Sequence, residues 1–186
     1  MEFVPSIENN TLEKSKNSCN ITNNGTYINR YSRQMLVSEI NGVTGQQAIS
    51  SSSVLIVGAG GIGTTAILYI AGAGIGRLGI VDNDTVQISN LHRQVIYSMQ
   101  QVGLYKAECA AARVNDLNDN VKIDVHNVRL SADNVIDIVS SYDIVVDATD
   151  NFSTRYLLND ACVLLSKPLI SGAAGKSKCS YFVANY

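Results

Sequence analysis

The chain has no pair of cysteines with the C-x-x-C spacing that is typical of zinc ligands and of redox-active thiols. Its cysteines stand singly, at Cys19, Cys109, Cys162 and Cys179. No apolar run reaches the roughly 20 residues that a membrane-spanning helix requires. The first residues include Glu2 and Glu8 and lack the apolar core of a secretory signal. We therefore expect a cytoplasmic protein that does not enter a membrane.

The chain also lacks an excess of basic residues. Lysine and arginine total 14 against 16 acidic residues, which gives a formal net charge of −2. Since phosphate backbones are normally bound by a basic face, this balance argues against direct nucleic-acid binding. Apolar residues make up 46% of the 186 residues, enough for one domain with a sizeable core. Cys109 and Cys162 lie in apolar helical patterns and are interpreted as core residues.

The first part of the chain differs in composition from the rest. Residues 1–29 are rich in Asn, Ser and Thr and have almost no apolar periodicity, which predicts a disordered tail. A helical segment is predicted over 32–50, interrupted by Gly42 and Gly45. The domain is expected to span 30–186.

From residue 53 onward, apolar strand patterns alternate with helical patterns. This alternation predicts an α/β fold with a Rossmann-like, doubly wound and mainly parallel sheet. The strands are predicted at 54–57, 78–81, 121–125, 144–146, 169–170 and 181–183, and the helices at 61–73, 106–117, 132–140 and 152–165. Because the last strand pattern runs close to Tyr186, the domain is expected to be truncated at its C-terminus.

A glycine-rich turn follows the first strand of this region. The sequence GAGGIG at 58–63 places Gly58, Gly60, Gly61 and Gly63 in a G-x-G-x-x-G pattern at the start of a helix. Glycines permit close backbone approach, and the helix N-terminus offers free N–H groups to a phosphate. The pattern favours a nucleotide site, for NAD as readily as for ATP. A glycine turn that only packs helix on strand is the alternative.

Polar side chains follow at the ends of later strands. Asp82 ends the second strand, where a carboxylate can accept hydrogen bonds from ribose hydroxyls, and Asp84 lies two residues on. Either aspartate could instead cap a turn or helix. Asp147 and Asp150 follow the fourth strand. We interpret Asp150 as a Mg²⁺ ligand and Asp147 as structural; the alternative for Asp147 is a cap on the helix near residue 152.

The segment 82–101 is too long and polar for an ordinary connection. It carries Asn90, Arg93 and Gln94, and Lys106 opens the next helix. A cationic cluster after a glycine loop favours a triphosphate over a dinucleotide, because charge on phosphate oxygens must be stabilised during transfer. Taken singly, Arg93 and Lys106 could be solvated surface charges.

Several segments in this order resemble the ThiF/MoeB/HesA family, which is homologous to the ubiquitin-activating enzymes. They are YSRQ at 31–34, the glycine loop at 58–63, GRLGIVD at 76–82, SNLHRQ at 89–94, KA at 106–107 and DATDN at 147–151. The string at 150–160 resembles the molybdopterin-synthase adenylyltransferase branch, which includes the eukaryotic adenylyltransferase–sulfurtransferases.

The resemblance implies ATP-dependent adenylylation of the C-terminal glycine carboxylate of a ubiquitin-fold sulfur-carrier protein. It also implies a role in molybdenum-cofactor synthesis or tRNA thiolation. By similarity, Arg93 and Lys106 neutralise phosphates, Asp150 holds Mg²⁺, Asp82 binds ribose and Asn90 positions the phosphates. Arg33 matches an arginine that reaches into the partner subunit's site, which implies a homodimer.

The chain departs from the family pattern at several positions. Tyr105 replaces a common proline, His92 replaces glutamine or asparagine, and the segment 175–180 matches poorly. The family's structural zinc is held by paired cysteines that this sequence does not contain. Two other functions stay open: a catalytically inactive fragment or interaction module of an activating-enzyme pair, and an NAD-dependent oxidoreductase.

Overall fold

The computed structural model describes residues 24–175 and 178–184, and over these ranges helices alternate with strands. The strands are β1 (Ser53–Val57), β2 (Arg77–Val81), β3 (Lys122–His126), β4 (Ile144–Asp147), β5 (Leu169–Gly175) and β6 (Lys178–Ala184). The helices are α1 (Asn24–Tyr31), α2 (Gly42–Ser51), α3 (Gly61–Gly72), α4 (Lys106–Leu117), α5 (Val135–Ser140) and α6 (Phe152–Leu164). Short 3₁₀ turns form at Gln34–Leu36, Ile88–Asn90 and Met99–Gln101.

The strands form one six-stranded sheet in the order β3-β2-β1-β4-β5-β6. Strands β1 to β5 run parallel to one another, and β6 runs antiparallel to β5. In chain order, β2 and β3 are added on one side of β1, and β4 is then added on the other side. This arrangement confirms the predicted Rossmann-like, mainly parallel α/β fold. The reversal between β1 and β4 creates a crevice at their carboxyl ends, where ligands of such sheets bind.

The sheet is covered on both faces, which explains why its central strands are apolar throughout. Ile56 of β1 packs with Ile67 and Val114 in one buried cluster, whereas Leu55 packs with Leu158 in the other. Cys109 belongs to the first cluster and Cys162 to the second, which confirms that both thiols are core residues. Burial raises the pKa of each thiol above its ordinary value.

The C-terminal boundary of the predicted disordered tail is placed too late in the sequence. Helix α1 occupies Asn24–Tyr31, so the prediction of disorder is wrong over 24–29; residues 1–23 lie outside the described part of the chain. The ordering comes from remote contacts. Tyr31 is buried and accepts a hydrogen bond from Asn118 Nδ2 at 2.9 Å, and Arg30 donates to the Leu117 carbonyl at 2.8 Å. The local composition contains no signal for these contacts.

The segment predicted as one interrupted helix over 32–50 is divided differently. A 3₁₀ turn at Gln34–Leu36 is followed by Asn41 in the left-handed region (φ 57°), and α2 begins directly after it, at Gly42. Gly42 therefore starts the helix instead of interrupting it. Gly45 lies inside α2, where a Cβ would stand 1.4 Å from the Ile40 carbonyl oxygen. In the described ranges, no helix has both the length and the apolar character needed to cross a membrane.

Candidate functional site

A cavity of about 570 Å³ opens at the carboxyl ends of the strands, over the β1–β4 crevice. Its walls come from the turns after β1 and β2, the loop after β3, the segment after β4, and the start of α4. All of the site residues predicted from the sequence line it except Arg33 and Gly63: Gly58, Gly60, Gly61, Asp82, Asp84, Asn90, Arg93, Gln94, Lys106 and Asp150.

The glycine loop has two different kinds of position. At Gly60 an added Cβ would stand 3.9 Å from the Gln94 amide nitrogen, and at Gly61 it would come no nearer than 3.7 Å to the Arg93 side chain, so both residues present bare backbone to the cavity. Gly58 has φ +93°, and its Cβ would stand 2.9 Å from the Ala148 carbonyl oxygen. The loop leads directly into α3, whose first N–H groups lack helical partners and so can bind an anion.

Gly63 has a packing role and does not line the cavity. A Cβ at Gly63 would stand 1.8 Å from the Gly58 carbonyl oxygen, so glycine alone allows α3 to lie this close to the turn after β1. Gly63 is therefore not among the residues that line the cavity, although the sequence predicts it as a nucleotide-binding position. Its position matches the helix–strand packing role of the third glycine in such loops.

The Asp82 carboxylate braces the glycine loop and still faces the cavity. Its Oδ2 accepts a hydrogen bond from the Ala59 N–H at 2.7 Å, and its Oδ1 accepts one from the Asp84 N–H at 2.8 Å. The side chain lines the cavity wall. Because a carboxylate has about four lone-pair sites, these two bonds leave capacity for ribose hydroxyls. Asp82 thus braces the turn and also lines the cavity, where the sequence predicts a contact with the nucleotide.

Tyr97 supports the same loop from beneath. Its hydroxyl donates to the Ala59 carbonyl oxygen at 2.9 Å, and the side chain is buried. Burial, reinforced by the nearby Asp82 charge, raises the pKa of Tyr97 well above its ordinary value, so the hydroxyl stays a neutral donor. Ala59 is therefore held from both sides, by Asp82 at its N–H and by Tyr97 at its C=O. No motif in the sequence singles out Tyr97 for this role.

Lys106 is the first residue of α4, and its side chain is only 7% exposed. Its ammonium nitrogen lies 2.9 Å from Asp84 Oδ2, and its backbone N–H donates to the Asp84 carbonyl oxygen at 2.9 Å. Both residues line the cavity. The interpretation of Lys106 as a solvated surface charge is therefore wrong, because the side chain is buried and has a specific carboxylate partner.

The segment after β2 brings three further polar side chains to the cavity. Arg93 is exposed; its Nη1 donates to the Ser89 carbonyl oxygen at 3.1 Å and lies 3.3 Å from His92 Nε2. Asn90 is buried, and its Oδ1 accepts from the Gln87 N–H at 3.3 Å. Gln94 is buried, and its Oε1 has no hydrogen-bond partner within the described ranges.

Asp147 and Asp150 occupy opposite environments. Asp147 is fully buried; its Oδ2 lies 3.0 Å from Arg155 Nε and accepts from the Ser171 hydroxyl at 2.6 Å. Its Oδ1 accepts from both the backbone N–H and the hydroxyl of Thr149. Asp147 therefore anchors the segment that leads to Asp150. It does not cap α6, since the Asn151 side chain accepts from the Thr154 N–H at 2.8 Å.

Asp150 is exposed on the cavity wall, and over residues 24–175 and 178–184 its carboxylate makes no hydrogen bond or ion pair. Mg²⁺ is usually held by one or two carboxylates together with phosphates and water, so a free carboxylate at this place fits the ion. No group of three His, Cys, Asp or Glu side chains close enough to hold a metal ion is found in the described part of the chain. Among its cysteines, Cys109 and Cys162 are buried in the core and Cys179 is exposed.

The loop after β3 forms a cavity wall that was not predicted from the sequence. Val128, Arg129 and Leu130 follow β3 and line the cavity beside the end of β2. The Asn134 side chain holds this loop, since its Nδ2 donates to the Arg129 carbonyl oxygen at 3.1 Å. The available signal was positional, because residues directly after a parallel strand share the ligand-binding edge of the sheet.

Arg33 lies apart from the cavity. It precedes the 3₁₀ turn Gln34–Leu36 and is exposed, and within the described residues its side chain has no hydrogen-bond or ion-pair partner. Arg33 therefore does not belong to the site that this chain forms by itself.

Known proteins with similar sequences contain a domain of the same family. The model of the ThiF family matches residues 31–186. The chain is 52% identical to an adenylyltransferase and sulfurtransferase MOCS3 of Aedes aegypti over 95% of its own length, which is 40% of that protein. It is 49% identical to a sulfur carrier protein adenylyltransferase of Thermus thermophilus, covering 78% of this chain and 54% of the relative.

Solved structures show the same fold. The E. coli tRNA N6-threonylcarbamoyladenosine dehydratase TcdA, in complex with ATP, matches with a TM-score of 0.76 and 29% identity, over 83% of this chain and 63% of that chain. E. coli MccB in complex with MccA-N7isoASN matches with a TM-score of 0.77 and 28% identity, over 85% of this chain and 48% of that chain. The family model covers most of the sequence, and solved structures of similar sequence share the fold. The chain therefore belongs to the ThiF family.

Proposed function

We propose that this chain is the ATP-binding part of an adenylyltransferase that activates the C-terminal glycine carboxylate of a ubiquitin-fold sulfur-carrier protein. The observation that carries the proposal is one cavity in which a bare glycine loop, two cations and an exposed carboxylate meet: Gly60, Gly61, Arg93, Lys106 and Asp150. Such a set is suited to a triphosphate, because it combines anion-binding amides with cationic side chains.

The relatives support the choice of reaction. The Aedes aegypti and Thermus thermophilus proteins are named as adenylyltransferases, the latter of a sulfur carrier protein, and the TcdA structure contains ATP. These names favour ATP over NAD as the nucleotide. The chain spans less than two thirds of the length of these relatives, so its activity, substrate and partners are proposals that rest on the cavity and on the similarity.

In the proposed reaction, a carboxylate oxygen of the carrier's terminal glycine attacks the α-phosphorus of ATP. A new carboxylate–phosphorus bond forms, the bond between the α-phosphorus and the bridging oxygen breaks, and pyrophosphate leaves with that oxygen. The product is an acyl-adenylate, in which the carboxyl carbon is activated for sulfur transfer. Negative charge increases on the departing pyrophosphate, so catalysis depends on cationic groups around it.

Five polar side chains of the cavity and the start of α3 have a proposed role in this reaction. Arg93 and Lys106 neutralise the phosphates, and the N–H groups at the start of α3 bind phosphate oxygens. Asp82 accepts hydrogen bonds from the ribose hydroxyls, and Asn90 helps to position the phosphates. Asp150 would hold Mg²⁺, which supplies additional positive charge to the phosphate oxygens when bound.

The proposal extends to a second subunit. Arg33 is exposed and outside the cavity of its own chain, so we propose that it completes the site of a partner chain in a homodimer. Similarity to the MOCS3 and sulfur-carrier adenylyltransferases favours a role in molybdenum-cofactor synthesis or tRNA thiolation. A cytoplasmic location is consistent with that chemistry.

The test is ATP–pyrophosphate exchange by the full-length protein with a ubiquitin-fold carrier that ends in Gly-Gly. Lys106→Ala and Asp150→Ala are each expected to slow exchange by about 100-fold or more, since each removes charge stabilisation from the transition state. Arg113→Ala is the matched control, because Arg113 is an exposed cation of α4 outside the cavity. Exchange that proceeds at the wild-type rate in both cavity variants would refute the mechanism.

A further inference from the structure

Lys106 stands where a cation is electrostatically unfavourable. It is the first residue of α4, and its side chain is 7% exposed. The N-terminus of a helix carries partial positive charge, so it repels an ammonium group, and burial adds a desolvation cost. A fixed anion must compensate for both effects if the lysine is to face the cavity in its charged form.

Asp84 is that anion. Its Oδ2 lies 2.9 Å from Lys106 Nζ, and its carbonyl oxygen accepts the Lys106 backbone N–H at 2.9 Å. Over residues 24–175 and 178–184, Lys106 Nζ has no other hydrogen-bond or ion-pair partner. The two contacts fix both ends of the lysine, its backbone and its ammonium group, to the same residue.

Asp84 is itself held by the backbone around it. Its N–H donates to Asp82 Oδ1 at 2.8 Å, and Thr85 forms an antiparallel bridge with Tyr105, the residue before Lys106. Asp82 in turn accepts the Ala59 N–H of the glycine loop at 2.7 Å. A continuous series of hydrogen bonds therefore runs from the glycine loop through Asp82 and Asp84 to the lysine.

We infer that Asp84 is a positioning residue, which holds the Lys106 ammonium toward the phosphates and does not bind the nucleotide directly. A carboxylate facing a triphosphate would repel it unless a cation stood between them, and Lys106 supplies that cation. This inference revises the assignment of Asp84 as a cofactor-binding residue. Its catalytic consequence rests on the proposed function, whereas the contact with Lys106 is independent of it.

The contact is tested by the reactivity of Lys106. The full-length protein, without nucleotide, is treated with limiting amine-acylating reagent, and acylation of Lys106 is followed by peptide mass spectrometry. Asp84→Ala is expected to increase the Lys106 acylation rate by about fivefold or more, because the ammonium loses the carboxylate that holds it against the cavity wall. Asp116→Ala, which removes an exposed carboxylate from the far end of α4, is expected to change nothing.

The catalytic role is tested by a double-mutant cycle on pyrophosphate exchange. Asp84→Ala is expected to lower kcat about tenfold or more, and Asp84→Asn less, because its amide oxygen can still accept a hydrogen bond from Lys106. In the Lys106→Ala background, Asp84→Ala should cost nothing further, since a residue that acts only through Lys106 has no effect without it.

The outcomes separate the inference from the proposed function. An unchanged Lys106 acylation rate in Asp84→Ala overturns the positioning contact. A further loss of activity in the double variant, recovered at high Mg²⁺, shows that Asp84 is a metal ligand and overturns the inference as well. If wild-type protein shows no exchange, the proposed function fails, and the acylation measurement alone decides the contact. Thermal unfolding of each variant verifies that it is folded.

Discussion

Gly63 of α3 lies so close to the Gly58 carbonyl that a Cβ would stand 1.8 Å from its oxygen. Gly63→Ala is therefore expected to push α3 away from the turn after β1 and to lower the free energy of unfolding by about 1–3 kcal/mol, the usual cost of overpacking. Thermal or denaturant unfolding measures the loss. Because the displaced helix begins at the cavity, nucleotide affinity should fall in the same variant.

The same substitution elsewhere in α3 provides the control. Apart from its chain neighbours and the adjacent backbone of α3, no atom of the described residues lies within 4 Å of a Cβ added at Gly72, and its φ is not positive. Gly72→Ala is expected to leave nucleotide binding unchanged and to raise stability by about 0.4–1 kcal/mol, because alanine reduces the entropy of the unfolded chain. Equal stabilities for Gly63→Ala and Gly72→Ala would show that the close contact has no energetic significance.

The sequence predicts the placement of residues at the cavity best where the signal comes from residues close together in the chain. The glycine loop, Asp82 and Lys106 each follow a strand or begin a helix, so their place at one edge of the sheet follows from the alternating pattern. Burial could not be predicted in the same way. Asp147 and Asp150 are three residues apart, yet one is fully buried and the other exposed.

The features that were missed depend on contacts between distant parts of the chain. Tyr31 is anchored by Asn118, which is 87 residues away, so the order of α1 has no local signal. Tyr97 braces Ala59 across 38 residues, and Arg129 reaches the cavity only because β3 lies next to β2. Packing of this kind overrides local propensity and composition.

The buried ion pair between Asp147 and Arg155 gives a second prediction. Asp147→Asn removes the negative charge and leaves Arg155, which is 19% exposed, without its carboxylate. Breaking such a pair is expected to cost about 3 kcal/mol, which corresponds to a Tm lowered by roughly 6–12 °C. Exchange activity should fall too, since Asp147 anchors Thr149 beside Asp150.

Asp150→Asn separates these two effects. Asp150 is exposed and makes no hydrogen bond or ion pair with the described residues, so its Tm should stay within about 2 °C of wild type. The loss in this variant should appear only in Mg²⁺-dependent exchange. A wild-type Tm for Asp147→Asn would contradict the structural role assigned to that residue.

Arg129 is expected to contact the nucleoside end of the nucleotide. Asp82 follows β2 and the glycine loop follows β1, so a nucleotide with phosphates at the loop and ribose at Asp82 directs its base toward the loop after β3. A guanidinium there can stack on a purine, with Val128 and Leu130 as apolar neighbours. Arg129→Ala should weaken binding about tenfold, or ~1.4 kcal/mol.

Calorimetric titration with AMP and with ATP locates the contact. If Arg129 touches the base, both affinities fall by the same factor, whereas contact with the β- or γ-phosphate would weaken ATP alone and refute the assignment. Arg113→Ala removes an exposed arginine from α4 and should leave both affinities unchanged.

His126 is expected to make stability sensitive to mildly acidic pH. Its Nε2 lies 3.0 Å from the Tyr142 hydroxyl, which donates to Asp124 Oδ2 at 3.0 Å, so a neutral imidazole with hydrogen on Nε2 satisfies the network. Burial lowers the pKa of His126 below its ordinary 6.5; the Asp124 charge opposes this shift and the Arg77 charge reinforces it.

With the pKa lowered in the folded state, the unfolded chain takes up a proton at higher pH than the folded protein does. Stability is therefore unaffected above about pH 6.5 and is lost as the pH falls from that value toward the folded-state pKa. Between about pH 7.5 and pH 5.5, the Tm of His126→Gln should fall by roughly 1–3 °C less than that of wild type. Glutamine keeps an N–H donor for Tyr142 but cannot be protonated.

The control is His92→Gln, which removes the chain's other histidine at an exposed position. Its Tm should fall with pH as steeply as that of wild type, because no buried network depends on it. Parallel Tm-versus-pH curves for wild type and His126→Gln would show that protonation of His126 does not oppose folding. The hydrogen bond to Tyr142 would then have to persist with a charged imidazole, which can also donate from Nε2.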